Sequence, residues 1–415
     1  MTQQLDRARL LVNYGRYADA QKEIHQYLTT EPNDGEAHTL LAIIFLNLQK
    51  TDEAKAAIET AISFAPSDAY NFYVYSKVWF QKENLIEAEQ KIREAISINP
   101  FSAEYFAWLA QIQMNKKDYY DALTSANEGL AVEADNINCL NIRAIALTKL
   151  NKKEEAYQTI KDALTGDPEN SMTHANTGWS MLEHGDHKAS LNHFTESLRL
   201  DPTNDWAKSG MVEALKARYF IYRMFLRYMF WISNMKGKRQ WMVIGGLYLL
   251  VQVLKVVGRT MPSLQIIIIP IVVLYAAFAF SSWIIQPVFN LLLRLHPQGK
   301  YALTREERIS SDFVGISLLT GALALIAMPF VKDGNGTFAL AIFGITYSLP
   351  LACMFRSRSE KKFNLLQLFI LIIGLCGASA VIMAFMGYED YFFVGGLYLI
   401  LIFIFQFVAN SVAIR

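Results

Sequence analysis

Two hydrophobic patterns divide the chain. Up to about residue 235, apolar positions recur at three- and four-residue spacing among charged ones, which predicts amphipathic helices. After Gln240 the chain becomes a succession of apolar runs, each ~20 residues long and sufficient to cross a bilayer. The first pattern also repeats. Small residues stand at Ala8, Ala42, Ser76, Ala110, Ala144 and Gly178, and again at Ala20, Ala54, Ala88, Ala122, Ala156 and Ser190. Two such columns let a helix and the antiparallel helix that follows it approach closely. Ile24, Ile58, Ile92, Ile160 and Phe194 share a further column, with Ala61, Ala95 and Ala163 three residues later on the same helical face. Prolines at 32, 66, 100, 168 and 202 keep a 34-residue spacing, with Ala134 at the one skipped step. Each proline ends one helix pair and opens the turn to the next. The chain has only 11 prolines in 415 residues, so this ladder is an internal repeat.

Small residues at repeat positions 8 and 20, a small residue at 27 and proline at 32 resemble the tetratricopeptide repeat family over residues 1 to about 204. The resemblance implies an all-α architecture, a six-repeat helical solenoid, which presents a concave surface and does not enclose a reaction. Three departures stand out: Tyr27 at a small position, the missing proline of the fourth repeat, and Ser190 with Ser197 in the sixth. The junction after Ala134 is therefore expected to be the least regular.

In the family register, positions 2, 5, 9, 12 and 13 of each first helix look inward. This selects Arg9, Asn13, Asn47, Tyr70, Tyr73, Lys77, Gln111, Asn115, Asn138, Asn141, Lys149 and Trp179 as partner-binding candidates. Amides both donate to and accept from a peptide backbone, and Tyr73 and Trp179 offer flat anchors. For Asn13, Asn47 and Asn115 the alternative is a helix-ending role beside a turn. Leu5 and Ile43 occupy inward positions, which argues against the clamp that some family members use for acidic C-terminal peptides.

The apolar half predicts a polytopic α-helical membrane domain, residues 240–415. Its spans lie near 240–258, 264–285, 313–331, 337–355, 364–386 and 391–411. The second reads as a tilted span followed by an in-plane helix. Basic residues collect before the first span (Lys216, Arg218, Arg223, Arg227, Lys236, Lys238, Arg239), after the second (Arg294, Lys300, Arg305, Arg308) and after the fourth (Arg356, Arg358, Lys361, Lys362). The intervening loops hold Arg259, then Lys332 with Asp333, then Glu389 with Asp390. The positive-inside rule then puts both termini in the cytoplasm, with a bacterial inner membrane as the expected location. The polar N-terminus fits an internal first span as the insertion signal.

Residues 205–239 form the expected joint. Trp206, Met211, Val212 and Leu215 are placed to cap the sixth repeat, and the stretch from Arg218 mixes aromatic and cationic residues as an interfacial helix does. Arg218, Arg223, Arg227, Trp231, Lys236, Lys238 and Arg239 are its membrane-interface candidates, at ~1 kcal/mol per cation near an anionic surface. A nucleic-acid partner is not expected, because charge alone is unspecific.

Composition and motifs narrow the chemistry. Net charge is +1. Cys139, Cys353 and Cys376 have neither disulfide nor metal spacing, and His184 and His187 sit at a repeat turn with His193 beyond it, so no metal is expected. DGNG at 333–336 is too short for a calcium loop. The phosphate loop, nucleophile elbow and two-histidine zinc helix are absent from the sequence. No cofactor and no enzymatic activity are expected. Gly245 with Gly246, and Gly374 with Gly377, are candidates for close helix packing. The resulting expectation is a membrane-embedded scaffold that binds a cytosolic protein or peptide partner, with homo-oligomerisation open. The alternative is a transporter or channel subunit with the repeats as a regulatory domain. It requires Gln252, Asn290 and Gln406 to converge on one polar cavity.

Overall fold

The computed structural model describes residues 2–295, 303–331, 334–355 and 360–413. Of the basic residues named above, Lys300, Lys332, Arg356 and Arg358 lie outside the described residues, as do Asp333 and the side chains of Lys361, Lys362 and Asn410. The described chain is all-helical. It separates into two compact units: residues 1–184, 192–207 and 232–237, and residues 185–191, 208–231 and 238–415.

The first unit is built from helix pairs: α1 (Thr2–Asn13) with α2 (Tyr17–Thr30), α3 (Gly35–Asn47) with α4 (Thr51–Phe64), and α5 (Ala69–Gln81) with α6 (Leu85–Ile98). Next come α7 (Ala103–Asn115) with α8 (Tyr119–Val132), α9 (Ile137–Lys149) with α10 (Lys153–Gly166), then α11 (Ser171–Glu183) and α12 (His187–Leu200). The small columns are the helix crossings. Ala8, Ala42, Ser76, Ala110, Ala20, Ala54, Ala88 and Ala122 are fully buried, as are Ile24, Ile58 and Ile92. Each isoleucine contributes about 1.5–3 kcal/mol by leaving water. In the sixth repeat the fit is exchanged: a Cβ on Gly178 would lie 2.6 Å from the ring of Phe194, so glycine makes room for the larger residue.

Turns are set by caps and by backbone handedness. Asp34, Asp68, Asn136 and Asn170 accept hydrogen bonds from N–H groups at the start of α3, α5, α9 and α11. Inside each pair the turn passes through the left-handed region, at Gly15, Gln49, Glu83, Lys117, Asn151 and Gly185. Four of these six are not glycine, a local cost that packing on both sides sustains.

Two departures acquire reasons. The break in the proline ladder leaves the helices unchanged: α8 and α9 keep the lengths of their counterparts, because Asn136 caps α9 without help from a proline. The expected irregularity after Ala134 is thus absent from the element boundaries. At the same junction Gly129 lets the Cys139 sulfur approach α8. Tyr27, in turn, donates its hydroxyl to Asp34 Oδ2 at 2.7 Å. Burial alone would raise the Asp34 carboxyl, but Tyr27 and the N–H groups of Ala37 and Glu36 hold it below the usual carboxylate range. Because this pKa is depressed on folding, the associated stability is complete above the unfolded value of ~3.9 and is lost as pH falls through the lower folded value. Tyr27→Phe should cost about 1 kcal/mol at neutral pH, and the penalty should shrink below pH 4. Thermal melts across pH 2–7 check this.

Among the described residues, the second unit contains residues 208–216 of α13 (Asp205–Lys216), most of α14 (Phe220–Ser233) and six helices long and apolar enough to cross a membrane. The six are α15 (Gly237–Thr260), α16 (Gln265–Leu293), α17 (Arg305–Ala327), α18 (Gly334–Ala352), α19 (Glu360–Phe385) and α20 (Tyr391–Ala413). α16 runs unbroken through Pro270 and Pro287, so the second apolar run is one helix and not a span followed by a separate helix. α18 is the hub. Ser317 Oγ donates to the Gly344 carbonyl at 2.7 Å, the Tyr347 hydroxyl to the Ile370 carbonyl at 3.0 Å, and Thr346 shares a 2.8 Å hydroxyl contact with Tyr398. Such bonds let polar side chains join apolar helices. At the α17 crossing the backbones meet: a Cβ on Gly344 would stand 2.5 Å from the Gly321 nitrogen. Gly374 and Gly377 also pack closely, against Tyr347 and against Phe343 with Tyr398, but Gly245 and Gly246 face open space. The expectation for that first pair fails because α15 packs chiefly at its far end, where Gln265 donates to the Gly258 carbonyl.

Candidate functional site

The inward register positions converge at the third and fourth repeats. Tyr73 is buried and stacks toward Tyr105, Tyr70 and Trp108, with centroids at 5.2, 5.8 and 6.3 Å. Trp108 is fixed from behind by its Nε1, which donates to Ser76 Oγ at 2.9 Å, while Ser76 donates to the Ala88 carbonyl. That bond accounts for serine in a column of alanines. Over this aromatic floor lies the Lys77 ammonium, 4.2 Å from the Tyr73 centroid and 5.3 Å from that of Trp108. Burial pushes the Lys77 amine below its ordinary range, partly countered by the charge of Glu104. Glu104 is itself occupied: it accepts from the Tyr73 hydroxyl at 3.1 Å and from Asn138 Nδ2 at 2.9 Å. The site is therefore a preformed, half-buried cation on aromatic faces, beside a carboxylate already held by two donors. Tyr70 is exposed at its rim.

Other candidates are placed differently. Tyr73 is the floor of the site and not an exposed anchor. Asn47 and Asn115 bond the carbonyls of Ile43 and Gln111 on their own helices, the helix-ending role. Asn141 is buried and donates to Thr173, so it joins two repeats and does not face a groove. Gln111 is half-buried, and Arg9 pairs with Asp6 and Glu36. Lys149 pairs with Glu183 at 2.6 Å. Trp179 stacks on Trp206 at 4.6 Å and donates to its carbonyl, so the two indoles close the last repeat. Met211, Val212 and Leu215 do not share this capping: they pack with Leu191, Leu293 and Leu303. His184 contacts the Ser180 carbonyl and His193 contacts His174. Among the described residues there is no group of three His, Cys, Asp or Glu placed to hold a metal.

The interface candidates also divide. α14 buries Tyr222, Phe225 and Leu226 and exposes Phe220, Ile221, Met224 and Trp231. Arg218, Arg227, Lys238 and Arg239 are exposed and Arg223 is half-buried, while Lys236 pairs with Asp118. Lys216, counted in the sequence with the loop cations, is fully buried. Its ammonium lies 3.3 Å from Glu213 Oε1 and 3.2 Å from Gln286 Oε1. Glu213 Oε2 accepts from the Tyr222 hydroxyl at 2.6 Å. Burial raises the Tyr222 phenol, and the Glu213 charge adds to it. No sequence signal distinguished Lys216 from its neighbours, since burial depends on the distant α16.

Gln252, Asn290 and Gln406 line no part of the apolar cavity of about 230 Å³ between α18, α19 and α20, whose wall includes Phe338, Phe343, Gly377, Phe392 and Leu399. Asn290 is buried and its Oδ1 has no hydrogen-bond partner among the described residues, and Gln252 and Gln406 are half-buried.

Comparison with known proteins bears on the repeats. A tetratricopeptide repeat family profile matches residues 4–71. No curated protein matches the chain. Similar solved structures include MamA, at 16% identity and TM-score 0.35, covering 39% of this chain and 94% of that one. Pseudomonas aeruginosa pilF is 17% identical at TM-score 0.42, covering 51% and 96%. YrrB, described as a TPR protein with an unusual peptide-binding site, is 15% identical at TM-score 0.34, covering 44% and 95%. The matched residues, with the helix pairs that continue their 34-residue frame, identify a tetratricopeptide-repeat segment in this chain.

Proposed function

We propose that the chain is a non-enzymatic, membrane-embedded scaffold whose repeat groove binds a protein or peptide partner and holds it at the cytoplasmic face of a bacterial inner membrane. The observation that carries this reading is Lys77, a half-buried cation seated on Tyr73 and Trp108 with no ion pair among the described residues. Maintaining a desolvated charge on an aromatic platform costs stability, and binding of a partner group repays it. Six helices long and apolar enough to cross a membrane support the anchoring role. The exposed Trp231 and Arg227 of α14, with half-buried Arg223 and with Arg218 just before the helix, form the proposed contact with lipid headgroups. Residues 1–204, 205–239 and 240–415 serve as solenoid, joint and anchor.

A photo-crosslinking residue at Tyr70 in the full-length, membrane-embedded chain tests the groove. A discrete adduct, weakened about 30-fold or more by Lys77→Glu in line with a central hot spot, is the expected result. The same adduct formed equally well from Glu53, on the outer helix α4, would reject the groove as the binding surface.

A further inference from the structure

The solenoid holds a piece of its own chain. Between α14 and α15 the backbone leaves the helix at Asn234, Met235 and Lys236. Asn234 Nδ2 donates to Glu183 Oε1 at 2.7 Å, Lys117 Nζ donates to the Met235 carbonyl at 2.8 Å, and Lys236 pairs with Asp118. All these residues belong to the first compact unit.

We propose that the turn edge of the fourth to sixth repeats is a second docking surface, specific for a turn segment with an amide and a cation two residues apart. Residues 234–236 occupy it as an intramolecular strap. Three features support this. Residues 234–235 form a turn and bend, from which Asn234 and Lys236 both reach the repeats while the residue between them offers its carbonyl. The receiving groups are preorganised: Glu183 is 13% exposed and is steadied by Lys149, and Asp118 is 16% exposed and is approached by Lys116. Lys117 occupies the left-handed turn position that glycine fills in the first and last repeats. Its side chain has a use there that glycine lacks, which offsets the backbone cost. The surface reads one main-chain carbonyl, one amide and one positive charge. A partner segment carrying the same pattern competes with the strap, so the strap controls access to this edge.

Amide hydrogen exchange of residues 234–237 in the full-length protein in nanodiscs tests the proposal. Asp118→Lys and Lys236→Glu should each accelerate exchange there about tenfold, the scale of one lost charge-assisted contact. The double variant should restore slow exchange. Lys117→Met, which keeps the stem and removes the donor, should accelerate it as well. Exchange in α5 and α6 reports that the repeats remain folded. The proposal is overturned if the double variant exchanges as fast as the faster single one. It is overturned equally if Asp118→Lys has no effect while the anionic lipid content sets the rate, because Lys236 would then be serving the membrane.

Discussion

Glu213→Ala is expected to destabilise the second unit by about 3–5 kcal/mol, more than Lys216→Met at the adjoining position. The asymmetry follows from burial. Lys216 is 1% exposed and Glu213 is 16% exposed. Removing the carboxylate strands an ammonium whose other contacts among the described residues are Gln286 Oε1 at 3.2 Å and the Tyr222 ring at 5.6 Å. An uncompensated buried charge carries a penalty of that size, whereas replacing a whole ion pair by apolar groups of similar volume is often neutral. Lys216→Met leaves Glu213 with the Tyr222 hydroxyl and a partial path to water. The double variant Glu213→Gln with Lys216→Met should therefore recover most of the loss, because the amide oxygen that replaces the carboxylate still accepts from Tyr222. Denaturant-induced unfolding in detergent micelles, followed by near-ultraviolet circular dichroism, ranks the three. Equal losses in all of them would mean that the cluster is held by shape alone.

Gly344→Val should be the most damaging single change within the apolar helices, at about 3 kcal/mol. The added carbons would collide with Gly321 backbone atoms at 2.5 and 2.7 Å and with the Ser317 carbonyl oxygen at 2.8 Å. Backbone cannot rotate away as a side-chain tip can, so α17 and α18 must separate, and the Ser317 bond to the Gly344 carbonyl is lost with them. Gly245→Val is the matched control, since nothing lies within 4 Å of its added Cβ. Thermal aggregation in detergent should separate the two, with Gly245→Val near the parent protein.

The repeats were legible because periodicity 34 forces the same contact six times. A column of small residues is then visible without any partner in view, and Ala8 through Gly178 read directly as crossings. The apolar runs were legible for a cruder reason: their length exceeds what an ordinary core helix needs. Long-range pairing was not legible. Gly321 and Gly344 carry no local mark that separates them from Gly245 and Gly246, and the structure chose the former because α17 and α18 lie against each other. The site shows the same division. Lys77 and Tyr73 followed from the register, but Trp108 was missed. It occupies position 6 of its repeat, outside the inward set, and reaches the groove through the serine at position 76. Asn141 erred the other way: its register faces inward, yet a threonine 32 residues later takes its amide.

The stacked indoles of Trp179 and Trp206 also give the solenoid a direction. A linear array is held by neighbour contacts, so its ends open first. At the far end two aromatic rings close the last repeat, whereas α1 leaves Leu10 and Tyr14 facing outward, 56% and 79% exposed. Faster amide exchange is therefore expected in α1 and α2 than in α11, so the repeat array should loosen first at the end away from the paired indoles.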